Sequence, residues 1–179
     1  MAAAQEPSLS LAEWLVLCIV CEQPMHGFGV ARLLGQNGSV GQVWRVPKPI
    51  VYRALQRLEL LALVRTAGEQ PSSQGPVRSL IEVTAAGRDA AAAWLRRPVS
   101  HTRDIRSQLL AKLALLDRAG RNPLPLLEAQ REQLKPIAGA LQDQLAASSG
   151  FDRTVVLWRY ETVSATLRFL DDISLTDTG

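Results

Sequence analysis

The stretch from Pro47 to Val83 constrains this chain more than any other. Pro47 and Pro49 open a helical pattern in which Val51, Leu55, Leu58 and Leu61 recur as one apolar stripe. Two β-forming runs follow directly, about 62–67 and 77–83, with Gly68-Glu69-Gln70-Pro71-Ser72-Ser73-Gln74-Gly75-Pro76 between them. That separator is turn chemistry throughout, so the two runs predict a hairpin with a long tip.

The rest of the chain reads as helix. Ser8 or Ser10 can cap a helix that runs to about Glu22 and is stopped by Gln23-Pro24. His26-Gly27-Phe28-Gly29 is a turn into a second short helix, about 27–36. After the hairpin, Thr84 caps an Ala-rich helix over 85–97, which Pro98 closes. The segment 98–102 predicts a domain boundary, giving residues 1–100 and 101–179 as two domains. Beyond it, helices are expected over 103–118, 124–147 and 152–173, with Pro136 expected to kink or split the middle one. Two long helices joined by Ser148-Ser149-Gly150 make an antiparallel pair with little core of its own. The expected fold class is mainly α with a small β-hairpin: an N-terminal winged helix-turn-helix and a C-terminal antiparallel helical region.

Charge sharpens this reading. The formal net charge is +3. Residues 1–100 carry ten basic and seven acidic side chains, whereas 101–179 carry ten of each. Between 44 and 58 lie Arg45, Lys48, Arg53 and Arg57 and no acid. A basic helix beside a turn is the electrostatic footprint of a phosphate backbone, and a helix fits the major groove.

Several motifs, taken in order, resemble the PadR-type transcriptional regulators, in the longer subclass with a C-terminal helical dimerisation region. They are Leu9-Ser10-Leu11 through Leu17, Met25-His26-Gly27-Phe28, Val51-Tyr52-Arg53-Ala54-Leu55 with Arg57-Leu58-Glu59, and Leu63-Val64. Val83-Thr84-Ala85-Ala86-Gly87-Arg88, Asp104-Ile105-Arg106 with Leu109 to Leu113, and Trp158-Arg159 with Thr166 to Leu170 complete the set. The chain departs from the pattern where Leu61-Ala62 replaces a common glycine, where the wing lacks paired tyrosines, and where Arg53 stands for a frequent proline.

Tyr52, Arg53 and Gln56 are the candidates for the groove-facing surface, because Arg can pair with guanine and Gln with adenine. Lys48 and Arg57 are expected on phosphates, with Arg45, Arg65 and Arg78 adding backbone contacts. The resemblance implies a homodimer on a palindromic operator of double-stranded DNA, with Trp158, Leu167, Phe169 and Leu170 at the interface. It also implies repression relieved by a small aromatic or hydrophobic effector; Trp14, Trp94 and Trp158 are candidates to line its pocket. The alternative is a winged-helix interaction scaffold without specific DNA binding.

Other classes are disfavoured. No phosphate-binding glycine loop, catalytic histidine pairing or metal-ligand cluster is legible, so neither an enzyme nor a cofactor is expected. Cys18 and Cys21 read as core thiols of a reducing compartment. The longest apolar run, Trp14 to Cys21, is too short to span a bilayer, and no basic residue precedes Arg32. A cytoplasmic protein is expected.

Overall fold

The computed structural model describes residues 7–70 and 78–176, without the side chains of residues 69, 70, 78, 175 and 176. Two compact units emerge, Met1–Leu95 with Leu110–Arg121, and Arg96–Leu109 with Asn122–Gly179.

In the first unit, α1 (Leu11–Glu22) starts with a capping box. Glu13 N–H donates to Ser10 Oγ at 3.4 Å, and Ser10 N–H donates back to Glu13 Oε2 at 2.6 Å. Every residue from Trp14 to Val20 is buried, so α1 is the central post of the unit rather than an amphipathic surface helix. Trp14 stacks on Trp94 with ring centroids 5.3 Å apart. Both tryptophans are therefore core, which takes them out of the expected effector pocket.

Strand β1 (Met25–His26) leads into α2 (Gly27–Leu33), and a coiled loop leads on to α3 (Lys48–Leu60). The loop closes where Val46 N–H donates to Leu34 O at 2.9 Å. A Cβ at Gly41 would overlap the Gly35 carbonyl oxygen, so only glycine lets this loop fold so tightly. Strands β2 (Val64–Gln70) and β3 (Arg78–Val83) form the expected hairpin, but β1 joins it, giving a sheet ordered β1-β3-β2. The expected tip at 71–77 lies outside the described residues. Helix α4 (Ala85–Arg96) follows, with Thr84 Oγ1 accepting from Gly87 N–H.

Helix α3 ends in a Schellman motif: Leu63 N–H donates to Leu58 O and Ala62 N–H to Glu59 O, both at 2.9 Å. Ala62 holds the left-handed position, φ 54°, where the resemblance anticipates glycine. Because the helix stops at Leu60, Leu61 leaves the buried stripe in which the sequence placed it and is 40% exposed.

The expected single helix over 103–118 is instead a 3-10 turn (Thr102–Asp104), a π turn (Ile105–Leu109) and α5 (Leu110–Arg118). Helix α5 belongs to the first unit. Its Arg118 forks onto Glu22 of α1, at 3.0 and 2.7 Å, and reaches Ser39 Oγ of the α2–α3 loop at 2.6 Å. Buried Lys112 places Nζ 4.6 Å from the centroid of the Trp94 ring.

The second unit is built on α6 (Leu124–Ala147) and α7 (Gly150–Thr176). Arg131 donates to Asp171 and Arg153 donates to Leu145 O, both between the two helices, so they run antiparallel. Helix α6 continues through Pro136 without splitting. Pro136 is exposed, where the single backbone donor it lacks is easily tolerated. Gln130, fully buried, brackets the Val99 backbone, accepting from its N–H at 2.6 Å and donating to its carbonyl at 3.1 Å.

Candidate nucleic-acid interface

Helix α3 is built to present one polar face. Pro47 caps it, and Ile50 and Val51 N–H close its first turn on the Pro47 carbonyl. Val51, Ala54, Leu55 and Leu58 are buried. At 100° per residue, the line opposite that stripe is Pro49, Arg53, Gln56 and Leu60, all exposed. Lys48, Tyr52 and Glu59 flank this line on the side of the sheet, and Arg57 flanks it on the side of α1.

The predicted contact residues on this surface differ in their partners. Arg45 and Arg53 are exposed, and their side chains make no hydrogen bond or ion pair among the described residues. Gln56 is exposed beside Arg53. Lys48 Nζ sits 5.6 Å from the Phe28 ring centroid and 5.9 Å from that of Tyr52. Tyr52 is 40% exposed, with the rest of its ring packed on Gly27: a Cβ there would lie 3.0 Å from Tyr52 Cε1. Arg57 is tied to Glu13, Nε to Oε1 at 3.3 Å. Arg65 pairs with its cross-strand neighbour Glu82 at 3.0 Å. The Arg78 side chain lies outside the described residues.

Between α3 and the sheet lies a cleft of about 560 Å³ whose lining includes His26, Phe28, Tyr52, Gln56, Glu59 and Ile81. Glu59 fastens α3 to β2, its Oε1 accepting from Thr66 N–H at 3.2 Å and Thr66 Oγ1 at 2.9 Å. The sequence reading missed Phe28, 59% exposed, and Leu60, 86% exposed. A helical wheel places Leu60 on the Arg53 line, seven residues on, and would have found it.

Of the residues expected at a dimer interface, Trp158 is 73% exposed on α7, Leu167 and Phe169 are half-buried, and Leu170 is buried. No metal-binding cluster of three or more His, Cys, Asp or Glu occurs among the described residues. Nor is any helix among them long and apolar enough to cross a membrane.

A helix, a short second helix, an exposed basic third helix and a hairpin packed beside it define a winged helix-turn-helix fold. Within it, residues 16–93 match the model of the Transcriptional regulator PadR-like family. Members of that family are regulators, not enzymes. No curated protein matches the sequence.

Among solved structures, the chain is similar to Bacillus subtilis PadR in complex with operator DNA, at 16% identity and a TM-score of 0.49, covering 92% of this chain and 97% of that one. Bacillus subtilis PadR in complex with p-coumaric acid gives 16% identity and a TM-score of 0.41, covering 94% and 97%. The smu.1604c protein of Streptococcus mutans UA159 gives 14% identity and a TM-score of 0.43, covering 91% and 98%.

Proposed function

We propose that this regulator is a repressor that binds a palindromic operator as a homodimer and is released by a small hydrophobic effector. Residues 1–100 serve as the DNA-binding domain and 101–179 as the dimerisation domain. The observation that carries the reading is the face of α3. Arg53 and Gln56 stand at its outward pole, exposed, and Arg53 has no partner among the described residues. A guanidinium and an amide so placed suit guanine and adenine edges in a major groove. Lys48, with Arg45 on the preceding loop, suits the flanking phosphates.

Two-fold symmetry then sets the half-sites about 34 Å apart, one helical turn. Exposed Trp158 on α7 supports a second copy as partner for that helix. The family resemblance supports the effector, and Trp14 and Trp94 pack in the core.

The test is selection of bound duplexes from a random pool, followed by titration of the enriched duplex at low and moderate salt. An inverted repeat bound less tightly as salt rises supports the reading, because cationic contacts release counterions. Absence of enrichment counts against it. One observation favours a protein-binding scaffold instead: Leu60 stands 86% exposed in line with Arg53. Binding to a partner through such an apolar contact would be insensitive to salt.

A further inference from the structure

We infer that His26 is a DNA-binding residue, donating from Nε2 to a backbone phosphate of the strand that lies in the cleft between α3 and the sheet. The inference rests on the DNA-binding reading above and adds a contact that the sequence reading assigned only to a turn.

Position comes first. If α3 enters a major groove, the strand bounding that groove passes between the helix and the wing, and the α3–sheet cleft is the space available to it. His26 lines that cleft together with Lys48, Phe28 and Tyr52. This is its cationic and aromatic end: Lys48 Nζ lies over both rings. The acid of the cleft is Glu59, eleven residues and about 16 Å along the helix from Lys48, and Thr66 engages it twice. Among the described residues, Lys48, Tyr52 and Glu59 of α3 are the other ionisable groups facing the cleft. Strands β2 and β3 present Val64, Thr66, Ser79 and Ile81, and α2 presents Gly27 and Phe28; none of these side chains titrates.

Hydrogen-bond chemistry supplies the second step. His26 Nδ1 lies 3.1 Å from Ser79 O. A carbonyl oxygen only accepts, so Nδ1 carries the hydrogen. In the neutral ring Nε2 is then an acceptor, with nothing to offer a phosphate oxygen, which also only accepts. The protonated ring donates from both nitrogens and adds a second positive charge to the lining of the cleft. A phosphate seated here therefore selects the protonated ring, and binding takes up a proton wherever the free ring is neutral.

The test uses the full chain and the enriched operator duplex at fixed ionic strength, at pH 6 and pH 8. The expected result is affinity about tenfold higher at pH 6, the equivalent of one charge-assisted hydrogen bond. The slope of log affinity against log salt should also be steeper by about one at pH 6. His26→Asn keeps a donor for Ser79 O but has no Nε2; it should bind at the weaker level at both pH values. His26→Gln restores a donor near Nε2 that does not titrate, and should remove the pH dependence with less loss.

A wild-type affinity equal at both pH values overturns the inference. So does pH dependence that survives in His26→Asn, since it would then arise elsewhere, for example at His101. Failure of the wild type to bind any duplex at either pH defeats the DNA-binding reading itself. The imidazole resonance of His26 in the wild type gives a readout independent of variant folding: adding duplex at pH 7 should shift it towards the protonated form, and an unmoved resonance overturns the contact.

Discussion

Arg57 on α3 reaches back to Glu13 on α1, Nε to Oε1 at 3.3 Å, while the other carboxylate oxygen of Glu13 accepts from Ser10 N–H and Oγ. One acid thus caps the first helix and restrains a cation on the third. Glu13→Gln keeps the capping box and removes the restraining charge. Stability should fall by less than about 1 kcal/mol, since the Arg57 side chain is mostly exposed. DNA affinity at low salt should rise, with a salt slope steeper by about one. A drop in affinity would mean that Glu13 aims Arg57 at the backbone instead of holding it away.

Arg53 should read a base. Arg53→Ala should cost about 1–3 kcal/mol on the operator, relax the sequence preference at one position and leave the melting temperature unchanged. Arg65→Ala makes the contrast: Glu82 already pairs with Arg65, so its loss should change affinity little. Competition binding against single-base operator variants distinguishes the two.

Ala62 occupies the left-handed position of the Schellman motif at φ 54°. Ala62→Gly should stabilise the protein by about 1 kcal/mol, by relieving the clash of Cβ with the neighbouring carbonyl. A thermal melt that moves down, or not at all, would show that this turn is relaxed by its surroundings.

Burial pushes the Cys21 thiol up to about 11, and burial likewise raises Cys18 well above its ordinary 9.0. Both are therefore protonated at pH 8 in the folded chain. A thiol-reactive dye should label neither at that pH until denaturant is added. The sign for stability follows: with raised native values, the thiol contribution is complete below pH 9 and is lost as pH climbs above it, because the unfolded chain ionises first. A dye that reacts quickly with native protein at pH 8 would contradict the full burial of Cys18 and the partial burial of Cys21.

Trp158 and Leu170 lie on the same helix and should separate assembly from folding. Trp158, 73% exposed, is free to meet a second copy, whereas Leu170 is buried within its own chain. In the proposed homodimer, Trp158→Ala should raise the dissociation constant with little change in monomer stability. Leu170→Ala should destabilise the fold by about 2–5 kcal/mol. Sedimentation over a concentration series reads the first and denaturant titration the second.

Local chemistry was the legible part of this chain. Ser10 and Glu13 announce a capping box, Pro47 and Pro49 announce the start of α3, and its basic face is visible on a helical wheel. Tertiary choices were not legible. Strand β1 is two residues long, too short for any period to register, and exists because β3 offers it an edge. Helix α1 is apolar enough to bury on every side, which no single apolar stripe would indicate. Arg118 meets Glu22 across 96 positions of sequence. At the candidate interface, sequence supplied the basic residues but not their partners: only geometry reveals that Arg57 and Arg65 are paired while Arg53 has no partner among the described residues.

The sheet order β1-β3-β2 leaves the seven-residue β2 at an outer border, where unpaired backbone groups invite strand addition by another chain. Two features described above oppose it. Glu59 occupies the Thr66 N–H from the helix side, and the register shift between Thr66 and Gly68 breaks the regular spacing a visiting strand would need. Two copies of this chain are thereby discouraged from joining through their wings into an amyloid-like ribbon.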